Sequence, residues 1–157
     1  MKKLISIIIP MYNEEESLPY LYDRLTKLAD KIENYNMEFL FVNDGSKDNS
    51  LNIVKAYKKS DERVCYLNLS RNFGKEVAMA AALDYVRGDV VAIIDADLQD
   101  PPELIIDMLK YYEEGYDDVY AKRKSRKGET VLKKFTSHTF YRVLRSVSKV
   151  PIQEDTG

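Results

Sequence analysis

The chain has 157 residues, the length of one domain. Apolar residues make up 45% and charged residues 32%, which suits a folded core rather than a disordered chain. A net charge of −2 argues against a general nucleic-acid binder, and a lone cysteine, Cys65, excludes an internal disulfide and suits a reducing compartment.

Hydropathy narrows the class further. No segment approaches the roughly 18 consecutive apolar residues needed to cross a bilayer. The apolar run Leu4 to Pro10 has no small-residue cleavage site and meets Glu14, Glu15 and Glu16 at once, which reads against a signal peptide. The small net charge hides an asymmetry. Met1 to Ala121 carries 14 basic and 23 acidic residues, net −9, whereas Lys122 to Lys149 carries 10 basic and 1 acidic, net +9.

In chain order, Leu4 to Ile9 reads as a buried strand ended by Pro10. Ser17 can cap a helix to about Tyr35, with Leu18, Leu21, Leu25 and Leu28 on one stripe. Met37 to Val42 is a second strand. Asp48 or Ser46 can start a helix through Ile53, Val54 and Tyr57. Val64 to Leu69 is a third strand, and Phe73 to Val86 a helix stopped by Gly88. Val90 to Ile94 is apolar throughout, as a doubly covered parallel strand should be. Pro101 or Pro102 suits the first turn of a helix to Glu114. Val119 to Ala121 is a candidate fifth strand, Lys122 to Glu129 a charged loop, and Thr130 to Ser148 a basic amphipathic helix. Alternating strands and helices predict an α/β fold, an open, mostly parallel sheet with helices on both faces.

Such sheets bind ligands beyond the carboxyl ends of their strands. The polar clusters fall there: Pro10 to Glu14, Asn43 to Ser46, Ser70 to Lys75, Asp95 to Asp100, and Lys122-Arg123. Asp95 and Asp97 leave an apolar strand two residues apart, and two such carboxylates call for a cation. Their oxygens, with the Gln99 carbonyl, suit Mg2+ or Mn2+ held with substrate phosphates; a solvated strand end with a helix cap at Asp100 explains the acidic pair equally well. Asp44 before Gly45-Ser46 reads first as a turn or cap, and second as an acceptor for a base edge. Arg71 and Lys75 can pair with surface acids or meet phosphates. His138, the one histidine, reads as a surface or packing residue. There is no P-loop, dinucleotide fingerprint, G-x-S-x-G elbow or Cys/His cluster, so classical kinases, common dehydrogenases, serine hydrolases and zinc enzymes lose weight.

Four pieces in order now resemble a known family. Ile7 to Glu14 (IIIPMYNE), Val42 to Ser46 (VNDGS), Ser70 to Lys75 (SRNFGK) and Asp95 to Glu103 (DADLQDPPE) are similar to family 2 glycosyltransferases. Within them the chain resembles the branch of dolichyl-phosphate mannosyltransferase and the bacterial polyprenyl-phosphate glycosyltransferases. The resemblance implies a GT-A (Rossmann-like) fold and an inverting, metal-dependent transfer of a sugar from a nucleotide-sugar to a polyprenyl (undecaprenyl or dolichyl) phosphate. It implies that Pro10, Tyr12, Glu14, Asp44 and Lys75 serve the nucleotide. Asp95, Asp97 and Gln99 would hold Mg2+ or Mn2+, and these three with Arg123 form the catalytic set. Arg123, Arg126 and Lys127 would meet the acceptor phosphate.

The chemistry agrees. An ionised phosphate acceptor is already nucleophilic and needs cations more than a strong base. Lys133, Lys134, Arg142 and Arg145 suit an anionic membrane surface, or simply a solvated face. The branch favours UDP over GDP, places the enzyme at the cytoplasmic face of the membrane without nucleic acid, and leaves a homo-oligomer open. Residues 1–121 are expected to form the nucleotide-sugar core, and 122–157 the start of an acceptor- and membrane-proximal region. The chain stops inside a motif that relatives continue, many of them into membrane-spanning helices, so an inactive fragment is also in view. The alternative is a family 2 enzyme acting on a saccharide hydroxyl in cell-surface polysaccharide synthesis, which would need a carboxylate base. A nucleotidyltransferase would need a glycine-rich, basic first loop that is absent, and intact Asp95, Asp97 and Gln99 count against a non-catalytic domain.

Overall fold

The computed structural model describes residues 2–121. The chain divides into two compact units, residues 1–107 and 108–157. The first holds four strands, β1 (Lys3–Met11), β2 (Tyr35–Asn43), β3 (Val64–Asn68) and β4 (Val90–Ile93). Between them run α1 (Leu18–Lys31), α2 (Ser50–Ser60) and α3 (Lys75–Leu83), and α4 (Leu104–Glu113) follows. All pairings are parallel and the order is β3-β2-β1-β4. The chain therefore winds outward from β1 to β3 and then returns to the other side of β1. The carboxyl ends of β1 and β4 flank that reversal, where open α/β sheets form their crevice.

Side-chain alternation divides the core in two. Ile8, Leu40 and Val42 meet Ala78 and Ala82 of α3 on one face. Ile5, Ile7, Ile9, Phe39 and Phe41 point the other way and are fully buried. The stripe Leu18, Leu21, Leu25 and Leu28 of α1 is buried, as is Val54 of α2. Tyr22 of α1 stacks on Tyr57 of α2 with ring centroids 4.0 Å apart, so these two helices share a face. Right-handed crossovers require this arrangement, because the direction of winding reverses only after β3.

The differences from expectation have local causes. β1 does not stop at Pro10 but runs on to Met11. The missing Pro10 N–H costs nothing there: that position faces the β4 side, and β4 pairing ends at Ile8↔Ile93. Ser17 precedes α1 without a side-chain cap bond, since its hydroxyl donates to the Glu14 carbonyl and carboxylate instead. α1 ends at Lys31, so β2 starts as early as Tyr35. Gly88 is not a helix stop. α3 ends five residues earlier, and Gly88 passes so close to β1 that a Cβ there would lie 2.6 Å from the Ser6 amide nitrogen. Among the described residues β4 is not doubly covered either: Val91 is 39% and Ile93 48% exposed, because α3 lies against β1 and β2.

In the second unit, the end of α4 is closed by Gly115 at φ 101°. The Gly115 N–H donates to Tyr112 and the Tyr116 N–H to Tyr111, the paired bonds of a glycine C-cap. Val119–Ala121 forms no strand. Three residues after the Asp117-Asp118 pair carry too little apolar length to pair within the described chain. The loop and basic helix expected beyond Ala121 lie outside the described residues.

Candidate active site

A cavity of about 360 Å3 opens at the carboxyl ends of β1, β2 and β4. Seven residues expected from the sequence line it together: Pro10, Tyr12, Glu14, Asp44, Lys75, Asp95 and Asp97. Met11, Asn72, Gly74 and Ala96, not singled out by their chemistry, complete the lining.

The walls are held by bonds between loops. Backbone bonds extend the sheet past its strands, with the Asp44 N–H donating to Met11 and the Ile94 N–H to Ile8. The loops after β1 and β2 are laced reciprocally. Asn13 N–H donates to Ser46 Oγ, Lys47 N–H to Asn13 Oδ1, Glu15 N–H to Asp48 Oδ2, and Asn49 N–H to Glu15 Oε2. Glu14 N–H donates to the buried Ser50 hydroxyl at 2.8 Å. Tyr12 remains 40% exposed, an aromatic face open on the cavity wall.

Asp44 does more than its turn sequence suggests. It is only 4% exposed, and both carboxylate oxygens accept backbone N–H bonds, from Phe73 at 2.7 Å and Gly74 at 2.9 Å. It thereby pins the loop after β3 to the end of β2. Gly45, at φ 71°, makes that approach possible, because a Cβ there would stand 2.5 Å from backbone atoms of Arg71 and Asn72. No local sequence signal reveals this clamp, since its partners lie 29 and 30 positions away.

Asp95 and Asp97 follow β4 on either side of the buried Ala96. Lys75 Nζ lies 2.5 Å from Asp95 Oδ1. The Gln99 N–H donates to Asp97 Oδ1 at 3.0 Å, folding the turn back while Leu98 takes φ 61°. A left-handed Leu costs about 1–2 kcal/mol, and such strain concentrates at functional sites. Gln99, expected beside Asp95 and Asp97, thus bonds Asp97 through its backbone and is not among the residues that line the cavity.

Two hard carboxylates two residues apart, one of them already paired with an ammonium, fit Mg2+ or Mn2+. Among the described residues no group of three or more His, Cys, Asp or Glu forms a metal site. Asp95 and Asp97 would supply part of a coordination shell, the kind that phosphate oxygens and water complete. Arg123, Arg126 and Lys127 lie outside the described residues. Among the described residues no helix is long and apolar enough to cross a membrane.

The parallel sheet with its crevice at the strand ends shares its fold with solved glycosyltransferases of the GT-A class. The chain belongs to glycosyl transferase family 2, whose sequence profile matches residues 6–155. An uncharacterised glycosyltransferase of Bacillus subtilis, YkcC, is 48% identical over 152 residues, 97% of this chain and 47% of that protein. The prophage bactoprenol glucosyl transferase homolog of Escherichia coli K12 is 40% identical over 153 residues, 98% of this chain and 50% of that one. The chain spans about half the length of these curated relatives. A solved structure of S. aureus TarS residues 1–349 in complex with UDP matches with TM-score 0.63 and 29% identity, over 83% of this chain and 38% of that one.

Proposed function

We propose that this chain is the nucleotide-sugar-binding part of an inverting polyprenyl-phosphate glycosyltransferase that uses UDP in preference to GDP. The observation that carries the reading is the convergence of Tyr12, Glu14, Asp44, Lys75, Asp95 and Asp97 on one cavity beyond the strand ends. The bactoprenol glucosyl transferase relatives support a polyprenyl phosphate acceptor, and the TarS–UDP complex supports a uridine nucleotide. The acceptor class supports action at the cytoplasmic face of the membrane.

In this reading Tyr12 stacks on the base. Asp44 holds the loop after β3, and its remaining lone pairs can accept a base N–H. Asp95 and Asp97 hold Mg2+ or Mn2+, which when bound offsets the charge that develops on the departing diphosphate. Lys75 is within reach of the same phosphates and draws them toward the carboxylate wall. Arg123, Arg126 and Lys127 take the acceptor phosphate, bringing two anions together by charge alone. The acceptor attacks as an oxyanion, so no side chain must remove a proton from it.

Thermal unfolding with UDP or GDP, with and without Mn2+, tests the donor half. Ligand at about 100 times its Kd should stabilise the fold by roughly 2.7 kcal/mol. The expected result is a Mn2+-dependent shift with UDP that Asp97→Asn abolishes. Transfer of labelled sugar to undecaprenyl phosphate tests the acceptor half. Transfer only to a saccharide hydroxyl would move the enzyme to the alternative class.

A further inference from the structure

The cavity holds one more piece of chemistry, in its charge balance. Four carboxylates line it, Glu14, Asp44, Asp95 and Asp97, and Lys75 is the one Lys or Arg among the described lining residues. That single ammonium sits 2.5 Å from Asp95 Oδ1, on one of the two carboxylates assigned above to a divalent ion. A carboxylate oxygen engaged with an ammonium is less available to a second cation, which must displace it or bind beside it against its charge.

We propose that Lys75 is an exchangeable counter-cation. It neutralises Asp95 until a nucleoside diphosphate enters, then passes to a phosphate oxygen as Asp95 is given over to the divalent ion. This inference rests on the metal and nucleotide assignments made above. The pair is built for exchange. Both side chains are partly exposed, 49% for Lys75 and 37% for Asp95, so the contact adds little to stability. Lys75 is the first residue of α3, and its flexible four-carbon stem lets the ammonium swing without moving the backbone.

The Glu38–Arg87 pair of the same domain shows the opposite construction. Its carboxylate is 6% exposed and also accepts the Ser6 hydroxyl, which fixes it in place. Exchange at Lys75 makes metal and nucleotide depend on each other. The ion binds poorly alone because it competes with Lys75. It binds well with a diphosphate because the diphosphate takes Lys75 away. Such coupling is reciprocal, so the ion strengthens nucleotide binding by the same factor.

The test measures Mn2+ affinity of the 157-residue chain without nucleotide, by the loss of free-ion electron paramagnetic resonance signal. Lys75→Gln and Lys75→Arg are compared with the unaltered chain, each checked for cooperative thermal unfolding. Lys75→Gln should bind Mn2+ roughly tenfold more tightly, since a repelling charge a few ångströms away has gone. Its affinity for UDP in saturating Mn2+ should fall by a similar factor, so the coupling between the two ligands shrinks from both ends. Lys75→Arg, which keeps the charge, should behave like the unaltered chain in Mn2+ binding. Unchanged or weaker Mn2+ binding in Lys75→Gln overturns the inference, even if UDP affinity falls. A failure of the functional assignment looks different: the unaltered chain then shows no UDP binding at saturating Mn2+, whatever Lys75 does.

Discussion

Asp44 and Gly45 form one device at the end of β2. The buried Asp44 carboxylate accepts two amides of the loop after β3, and Gly45 lets that loop come within contact distance. Replacing Gly45 with Ala adds a left-handed penalty to a backbone collision. The two together should cost about 2–5 kcal/mol in urea unfolding. Gly115 gives the control. It has φ 101°, but a Cβ there would meet nothing within 4 Å, so Gly115→Ala should cost only the conformational part, about 1–2 kcal/mol. Equal losses at the two positions would show that close packing at Gly45 is not what matters. Asp44→Asn exposes one of the two loop amides to an NH2 group instead of an acceptor, and should cost about 1–3 kcal/mol. It should also weaken UDP binding, because Asn72 and Gly74 on that loop and Lys75 just after it line the cavity.

At the scale of elements, the polar pair inside the sheet is the feature that strand reading overlooks. Ser6 and Glu38 are register partners on β1 and β2, and the Ser6 hydroxyl donates to Glu38 Oε1 at 2.6 Å. Arg87, in the α3–β4 connection, donates its backbone N–H to Oε1 and its guanidinium to Oε2. The Gly88 N–H completes the net on Ser6 Oγ at 2.8 Å. Burial alone would raise the Glu38 pKa, but the Ser6 and Arg87 hydrogen bonds outweigh it and hold the carboxyl below its ordinary value of 4.5. A lowered pKa means that the folded state favours the ionised form. The contribution is therefore complete above about pH 4.5 and is lost as the pH falls through the folded-state value. Glu38→Gln should lower stability at pH 7 by about 1–3 kcal/mol. The gap between the two proteins should narrow in acid, and a gap independent of pH would refute the ionic account.

How far the sequence discloses each element depends on where that element's partners lie. Strands appear as runs such as Leu4 to Ile9 because both faces of the parallel sheet around β1 and β2 are covered. The cavity is foreseeable because the polar clusters sit after strands, where a doubly wound sheet must gather them. Ser6 and Glu38 are hidden because their satisfaction depends on register and on a connection 49 residues away from Glu38. The Lys75–Asp95 contact is hidden for the same reason, since each residue has an ordinary local reading. Val119 to Ala121 misleads in the opposite direction: three residues after two carboxylates are too short a run to make a strand among the described residues.

For the molecule as a whole, the charge distribution sets a testable division of labour. The cavity belongs to residues 1–107, within the acidic stretch, whereas residues 122–149 carry a net +9. The lipid-linked phosphate acceptor proposed above would lie in a membrane surface, and anionic lipids attract each nearby Lys or Arg by about 1 kcal/mol. The attraction is screened within about 8 Å at physiological ionic strength. The chain should therefore sediment with vesicles of phosphatidylglycerol and phosphatidylcholine at low salt, and release as salt rises. It should ignore pure phosphatidylcholine. Reversing Lys133, Lys134, Arg142 and Arg145 to Glu should abolish sedimentation while leaving the UDP-dependent thermal shift in place. Asp97→Asn should do the converse, binding vesicles normally while losing the shift. Vesicle binding that is insensitive to salt, or equal on neutral lipid, would mean that apolar contact rather than the basic segment carries the chain to the membrane.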